Sequence, residues 1–448
     1  MAQTTAARPD RGTRPNGSYS VSDIENINLQ NGNLNLSIPL ASLPPIAGGK
    51  LEWTLSAHYN SKIWDVRRTQ QIGQAFDLSL HYYVEDTVQA SDRGGWRVTG
   101  RYSLEIREAR EDFDYQLPPV ADEPDYSLML NNNYYKAVFV MPDGSEHELR
   151  PVDYLPYSHA KEFLIGYYSQ VPYTHGTMRY YSTDGSYLYA VVAPSGDWTV
   201  YMPDGTRIIA TGAIQRIQDT NGNKIKIFSD SQGTHYQDEL TGREIRYFVD
   251  PIGNNGKPQG QVHYQAVGGN WMRIDINFNT TEVQGKLYRV DGWKPGQVSP
   301  TPCKYHKLLS GEIEIVDEIV FPQTEPTQPN RRFTFDYNSK ITEQASTNLV
   351  KLFSCVAPAQ TYTRQASKGW GSLSKITTPS GAEILYEYEL DSPSLLAHLP
   401  FFPDDIPGET IKKKTIVQDG PDDVWTYLIW DDQGQAIQTY VNDNSTIT

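Results

Sequence analysis

Cysteine is almost missing from this chain of 448 residues: only Cys303 and Cys355 occur. Two cysteines without C-x-x-C spacing argue against a zinc site. They leave two readings open, a pair of buried thiols or one disulfide closing a long loop in an oxidising compartment. Helical periodicity is missing as well. No stretch of a dozen residues sustains i, i+3, i+4 apolar spacing without a Pro or Gly. No run of about 18 apolar residues is present, which excludes a membrane-spanning helix. Positive charge is short too: 39 Lys and Arg stand against 54 Asp and Glu, a net charge of −15. A nucleic-acid partner needs a basic face, and an anionic membrane surface attracts one, so both are disfavoured.

Catalytic signatures are equally scarce. The nine histidines are scattered and form no H-E-x-x-H, and no G-x-S-x-G elbow occurs. His147, between Glu146 and Glu148, reads as part of a solvated strand face rather than as a metal ligand. Glu312 and Glu314 fall on one sheet face, the spacing of paired glycosidase carboxylates, but alternating Glu and Ile also describes a half-exposed strand. Asp219-Thr220-Asn221-Gly222-Asn223 offers oxygens at alternating positions without the Glu that closes an EF-hand loop, and turn chemistry accounts for each residue. The expectation is therefore no metal, no cofactor and no catalytic activity.

What the chain does hold is aromatic side chains and turns. There are 30 Tyr, 9 Trp and 13 Phe, and 34 Gly and 29 Pro spread along the whole length. One phrase recurs: a small polar residue or Pro, a polar residue, Gly, and then an alternating strand. It is centred on Gly144, Gly185, Gly196, Gly205, Gly222, Gly381 and Gly434. Gly supplies the positive φ of a tight hairpin, and period-2 alternation such as Asn223–Phe228 is the mark of a half-buried strand. The fold class expected is all-β, an extended antiparallel sheet of stacked hairpin repeats with few helices. Residues 1–18 read as a flexible segment, 19–120 as an N-terminal β domain, 134–320 as a hairpin-repeat region and 330–448 as a second one. The acidic stretch Glu105–Asp114 is compatible with a short helix. Trp53, Trp198 and Trp425 lie in alternating strands and are expected to be buried. Trp293 and Trp370, beside Gly or Pro in loops, are the aromatics best placed to stack on a sugar. The opening Met1–Ala7 has no apolar core and reads as a mature secreted start with Met in place of a removed leader, a cytosolic start being the alternative.

Three stretches carry a family resemblance. Tyr19–Leu34, with its Asn31-Gly32-Asn33-Leu34, and Tyr59-Asn60-Ser61-Lys62-Ile63-Trp64-Asp65 resemble the N-terminal region of bacterial RHS/YD-repeat proteins. Leu373–Tyr388 is similar to an RHS strand pair, and Trp430-Asp431-Asp432-Gln433-Gly434-Gln435 to the aromatic-Asp-x-x-Gly-Arg turn of that family. The likeness covers residues 19–65, 134–250 and 330–448, and the first stretch is its most specific part. It implies a long antiparallel sheet coiled into a hollow shell, secreted or displayed by a bacterium, that encloses a toxin or other effector. The self-cleaving core with its aspartates is lacking, and no further domain follows, so the chain reads as a fragment, a short opened variant or one component of a larger assembly. The function expected is that of a secreted or cell-surface scaffold enclosing or presenting another polypeptide, with further repeats or a cargo polypeptide as partner. A carbohydrate-binding or carbohydrate-active surface protein, and a self-assembling extracellular structural protein, are the alternatives.

Overall fold

The computed structural model describes residues 4–7, 11–13, 19–21, 24–29, 31–45, 49–74, 80–90, 92–115, 128–151, 177–253, 256–266, 268–292, 303–323, 330–338, 348–351, 361–364, 371–390, 409–418, 421–427, 441–442 and 445–446. Among them there is no α-helix, and strands make up nearly everything else, so the fold is all-β. One antiparallel ladder of hairpins runs from Ser103–Tyr115 to Ser445–Thr446, almost every strand pairing with its neighbours in sequence. The exception is Arg332–Tyr337, which pairs directly with Leu373–Thr377, while Asn348–Lys351 and Thr361–Arg364 pair only with each other. No register pair among the described residues joins the last strand to Ser103–Tyr115, and the sheet is not a closed barrel.

The hairpins are built from one turn. At Gly144, Gly196, Gly205, Gly222 and Gly381 the glycine φ is 87°, 86°, 86°, 89° and 89°. Each time its N–H donates to the carbonyl three residues before it, as Gly205 does to Met202 at 3.0 Å, and the pair Met202 N to Thr206 O then opens the ladder at 2.8 Å. This is the three-residue hairpin loop, a type I turn followed by a left-handed residue. In two of the five the residue before the glycine is Asp, whose carboxylate accepts from the backbone two positions on, Asp143 from Ser145 at 2.9 Å and Asp204 from Thr206 at 2.9 Å. Gly185 differs: its connection is longer, closed by Ser182 N to Leu188 O, and contains Tyr187 at φ 54°. Gly434 lies outside the described residues.

Alternation along each strand sorts the ladder into two faces. In Lys224–Asp230 the residues Ile225 and Ile227 are buried while their neighbours are not. Tyr180, Ala190, Val200, Ile208, Ile217 and Ile225 form the corresponding inner positions of successive strands. The stretch Glu105–Asp114, compatible on sequence with a short helix, is instead part of the strand Ser103–Tyr115, paired along its whole length with Leu128–Val140. It has no apolar stripe at helical spacing to bury, whereas Leu104 and Ile106 stand opposite Phe139 and Ala137.

A second sheet of Tyr19–Val21, Glu25–Asn28, Leu34–Leu43, Trp53–Asn60 and Trp96–Arg97 packs on that inner face. Flat, the ladder from Leu128–Val140 to Glu409–Val417 would measure on the order of 75 Å at about 4.8 Å per strand. Yet Asn60 bonds to Asp143 near its start while Lys62 bonds to Thr410 near its far end. The ladder is therefore curled round the small sheet, and its two ends come together at one loop. A third sheet, Thr4–Ala7, Trp64–Gln74 and Leu80–Ala90, extends from the same block.

Candidate functional site

The place where the curl is held is built from two sequence stretches that sit at the ends of adjacent strands. Trp53–Asn60 pairs with Leu34–Leu43 so that Asn60 faces Asn35 and Tyr59 faces Leu36. The loop that follows, Ser61 to Ile63, is thereby set beside the turn Asn31-Gly32-Asn33. Ser61 Oγ accepts from Leu34 N at 2.8 Å, and Asn33 Oδ1 accepts from Lys62 N at 3.2 Å. Asn60 is buried and both ends of its amide are engaged. Its oxygen accepts from Gly12 N at 2.7 Å and Asn33 Nδ2 at 3.2 Å, and its nitrogen donates to Asp143 O at 2.9 Å. Lys62 Nζ donates to Thr410 Oγ1 at 3.3 Å, and Ile411 N donates to Gly32 O at 3.1 Å. Arg11 closes the outer side, donating to Lys62 O at 2.7 Å and pairing with Asp65 at 2.7 Å. Asn60→Ala is expected to cost about 2–3 kcal/mol, since Gly12 N–H, Asp143 C=O and the Asn33 amide all lose a partner in a buried place. Urea unfolding followed by circular dichroism measures this, and a shift below about 0.5 kcal/mol would contradict it.

Along the rest of the inner face, aromatic residues of the small sheet meet aromatic residues of the ladder. Trp53 stacks on Tyr236 with centroids 4.4 Å apart, and the Tyr236 hydroxyl donates to Thr99 O. Gly100 beside them, at φ 54°, leaves room that a Cβ would fill, 2.7 Å from the Trp53 ring. Trp96 lies edge-on to Phe335 at 4.7 Å and donates from Nε1 to the Tyr337 hydroxyl at 2.8 Å, which donates on to Val316 O at 2.5 Å. Tyr59 Oη accepts from Leu373 N at 2.9 Å. Near the far end Glu25 takes the Tyr386 hydroxyl and the Lys414 ammonium, both buried. Burial pulls the Lys414 amine down to about 8 and pushes the Tyr386 hydroxyl well above its usual value.

The contacts gathered between the two sheets are hydrogen bonds, ion pairs and ring contacts. His147, expected on a solvated face, is buried: it shares strand parity with buried Leu149 and stands opposite Phe139, and Nδ1 contacts Asp184 at 2.6 Å. Burial alone would raise the Asp184 carboxyl, but hydrogen bonds from Ser186 and His147 bring it below the ordinary carboxylate value. His147 Nε2 has no hydrogen-bond partner among the described residues. His58, two residues before Asn60, is pulled down by burial, against the pull of Asp143 and with the help of Arg97. Glu312 and Glu314 pair across the ladder with Glu282 and Thr280, and Glu314 lies 3.7 Å from Arg93. The Asp219 carboxylate accepts from Asn221 N and Asn223 N at 2.9 and 2.8 Å, which is the turn chemistry. No group of three or more possible metal ligands gathers among the described residues.

Of the nine tryptophans, Trp53, Trp64 and Trp96 are buried, Trp198 and Trp425 partly so, and Trp271 is exposed. Trp293 and Trp370, the expected sugar platforms, lie outside the described residues, as does Cys355. Cys303 opens the strand Cys303–Val320. Two features escaped the sequence reading: the Glu25–Lys414–Tyr386 cluster, whose members lie far apart in the chain, and a row of tyrosines on the outer face. The second had a fainter signal, one outward Tyr in each of three successive strands, Tyr181, Tyr189 and Tyr201. No protein-family model matches the chain, and no curated protein matches it.

Proposed function

We propose that this chain is a non-catalytic, secreted or surface-displayed β scaffold of the RHS/YD-repeat kind, part of a shell or surface assembly that encloses or presents another polypeptide. One observation carries the reading: a single ladder of hairpins, many closed by the same turn, is curled until Asp143 and Thr410 meet the same loop, Asn60–Lys62. Curling a long antiparallel sheet on itself covers its apolar face and leaves an outer surface of turns and polar residues, an economical way to wall off a space. The two stretches that make the clasp, Asn31–Leu34 and Tyr59–Asp65, are also the ones in which the likeness to RHS/YD-repeat proteins is most specific. The inner tyrosines and tryptophans are spent on holding the small sheet, which suits a wall rather than a reaction centre.

The reading is tested by appending a short unstructured, protease-sensitive polypeptide after Thr448 and timing its digestion against the same polypeptide fused to an unrelated β domain. Enclosure predicts digestion at least ten-fold slower, with protection lost when the scaffold is unfolded in urea. Digestion at the rate of the unrelated fusion would overturn the enclosing role.

A further inference from the structure

The outer face of the ladder carries a row that packing does not explain. Successive register pairs set Arg150 opposite Tyr181, Tyr181 opposite Tyr189, Tyr189 opposite Tyr201 and Tyr201 opposite Arg207. The row therefore runs across the strands, one residue per strand. The inner neighbours Tyr180, Ala190, Val200 and Ile208 are buried, so by alternation the row points outward; Tyr181 is 51% exposed. The ring centroids stand 4.9 and 5.5 Å apart, and the Arg207 guanidinium lies over Tyr201 at 5.4 Å.

Beside the row, Tyr187 is 81% exposed and holds φ 54° in a position that Gly or Asn would occupy at lower cost. A bulky aromatic kept in a left-handed conformation, with nothing buried in return, marks a side chain retained for what it touches outside. Charge adds a second signal. In a chain of net charge −15, Arg179, Arg207 and Lys224 on this face form no ion pair with a carboxylate among the described residues. Arg150, at the other end of the row, pairs with Glu148 at 3.3 Å, so the cations left to a ligand are Arg179 and Arg207; a cationic and aromatic row on an acidic protein selects an anionic, ring-bearing ligand.

The spacing decides which. A polypeptide strand laid along the row would repeat its same-face side chains about every 6.6 Å, too long for the rings. A stacked nucleic-acid strand advances about 3.4 Å per nucleotide, too short. An extended β-1,4-linked pyranose chain advances by one ring for each step of the row. We propose that the row Tyr181–Tyr189–Tyr201, flanked by Arg150 and Arg207, binds an extended acidic polysaccharide of β-1,4-linked uronate residues. Successive sugar rings contact successive tyrosines, and carboxylates reach Arg207 and Arg179. This site is on the opposite face from the clasp and stands independently of the scaffold reading.

Calorimetric titration of the full chain with a mannuronate hexamer tests it, with cellohexaose as the uncharged chain of matching rise and poly-glutamate as the acidic polypeptide. The expected result is saturable binding of the mannuronate hexamer, at least ten-fold weaker binding of cellohexaose and of poly-glutamate, and loss of at least ten-fold in Tyr189→Ala. Arg207→Gln should weaken binding and flatten its salt dependence. Arg207→Gln should keep the wild-type urea midpoint, and Tyr189→Ala, which gives up its ring contacts with Tyr181 and Tyr201, should show a small shift within one cooperative transition that still reports an intact fold. No binding of the hexamer at millimolar concentration, equal binding by Tyr189→Ala, or poly-glutamate binding as tight as the uronate would each overturn the proposal.

Discussion

Trp96→Ala is expected to destabilise the protein by about 3–5 kcal/mol, the range for removing a large buried aromatic. Trp96 is 1% exposed and belongs to the two-residue strand Trp96–Arg97 at the edge of the small sheet. Its ring touches both sheets at once, tilted on Tyr59 at 5.2 Å and edge-on to Phe335 at 4.7 Å. Its Nε1 begins the relay through the Tyr337 hydroxyl to Val316 O. Truncation therefore opens a cavity between the sheets and removes one member of a buried polar chain. Trp96→Phe keeps most of the ring and loses only the donor. Tyr337 can still donate to Val316, so this variant should cost about 1 kcal/mol beyond any packing change. Far-UV circular dichroism in urea gives the stability. Amide exchange should quicken in Arg332–Tyr337 and Leu373–Thr377, the ladder strands nearest the lost ring. A Trp96→Ala protein within about 0.5 kcal/mol of the wild type, or with unchanged exchange in those strands, would mean the small sheet does not brace the ladder.

Much of the wall was legible residue by residue. Asp-Gly and Asn-Gly steps marked turns because few residues other than Gly rest at φ near 87°, and Ile225 and Ile227 alternating with lysines marked an inner and an outer face. The turn and alternation signals are local, and local signals survive in a single sequence. What curls the ladder is not local. Asn60 reads as one more polar residue after a strand until Asp143 and Gly12 are brought to it. His147 looked solvated because its sequence neighbours are glutamates, but its burial is decided by Asp184, 37 residues on, and by strand parity with Leu149. Glu105–Asp114 looked helix-compatible on charge alone, and only its partner strand settles it as β. The tyrosine row lies between these cases: each Tyr was visible in its strand, but the row exists only once the register is known.

The second large effect concerns a pair that no local rule could place. Glu25 and Lys414, 389 positions apart, meet inside the protein, with the Tyr386 hydroxyl on the other carboxylate oxygen and the Lys414 ammonium 4.9 Å from the Trp425 ring centroid. Lys414→Met is expected to cost about 3–5 kcal/mol, because a carboxylate only 2% exposed is left without its cation. Glu25→Gln should cost less. Burial already holds the Lys414 amine down to about 8, so at neutral pH the unpaired side chain can shed its proton for roughly 1.4 kcal/mol per pKa unit. The double variant Glu25→Gln/Lys414→Met should lie close to the wild type or above it, since taking two charges out of water costs about as much as their attraction returns. The pH dependence carries a definite sign. Lys414 is lowered from 10.5, so between about pH 8 and that value the unfolded chain holds a proton that the folded chain has released. Stability from this group therefore rises with pH across that window, and the cost of a buried ammonium is fully present below it. Compared with the double variant, the wild type should gain stability between pH 8 and 10. Additive single-variant losses would mean that Glu25 and Lys414 are not coupled across the two sheets, and a wild type that falls behind the double variant as pH rises would mean that pairing with Glu25, rather than burial, governs the Lys414 ammonium.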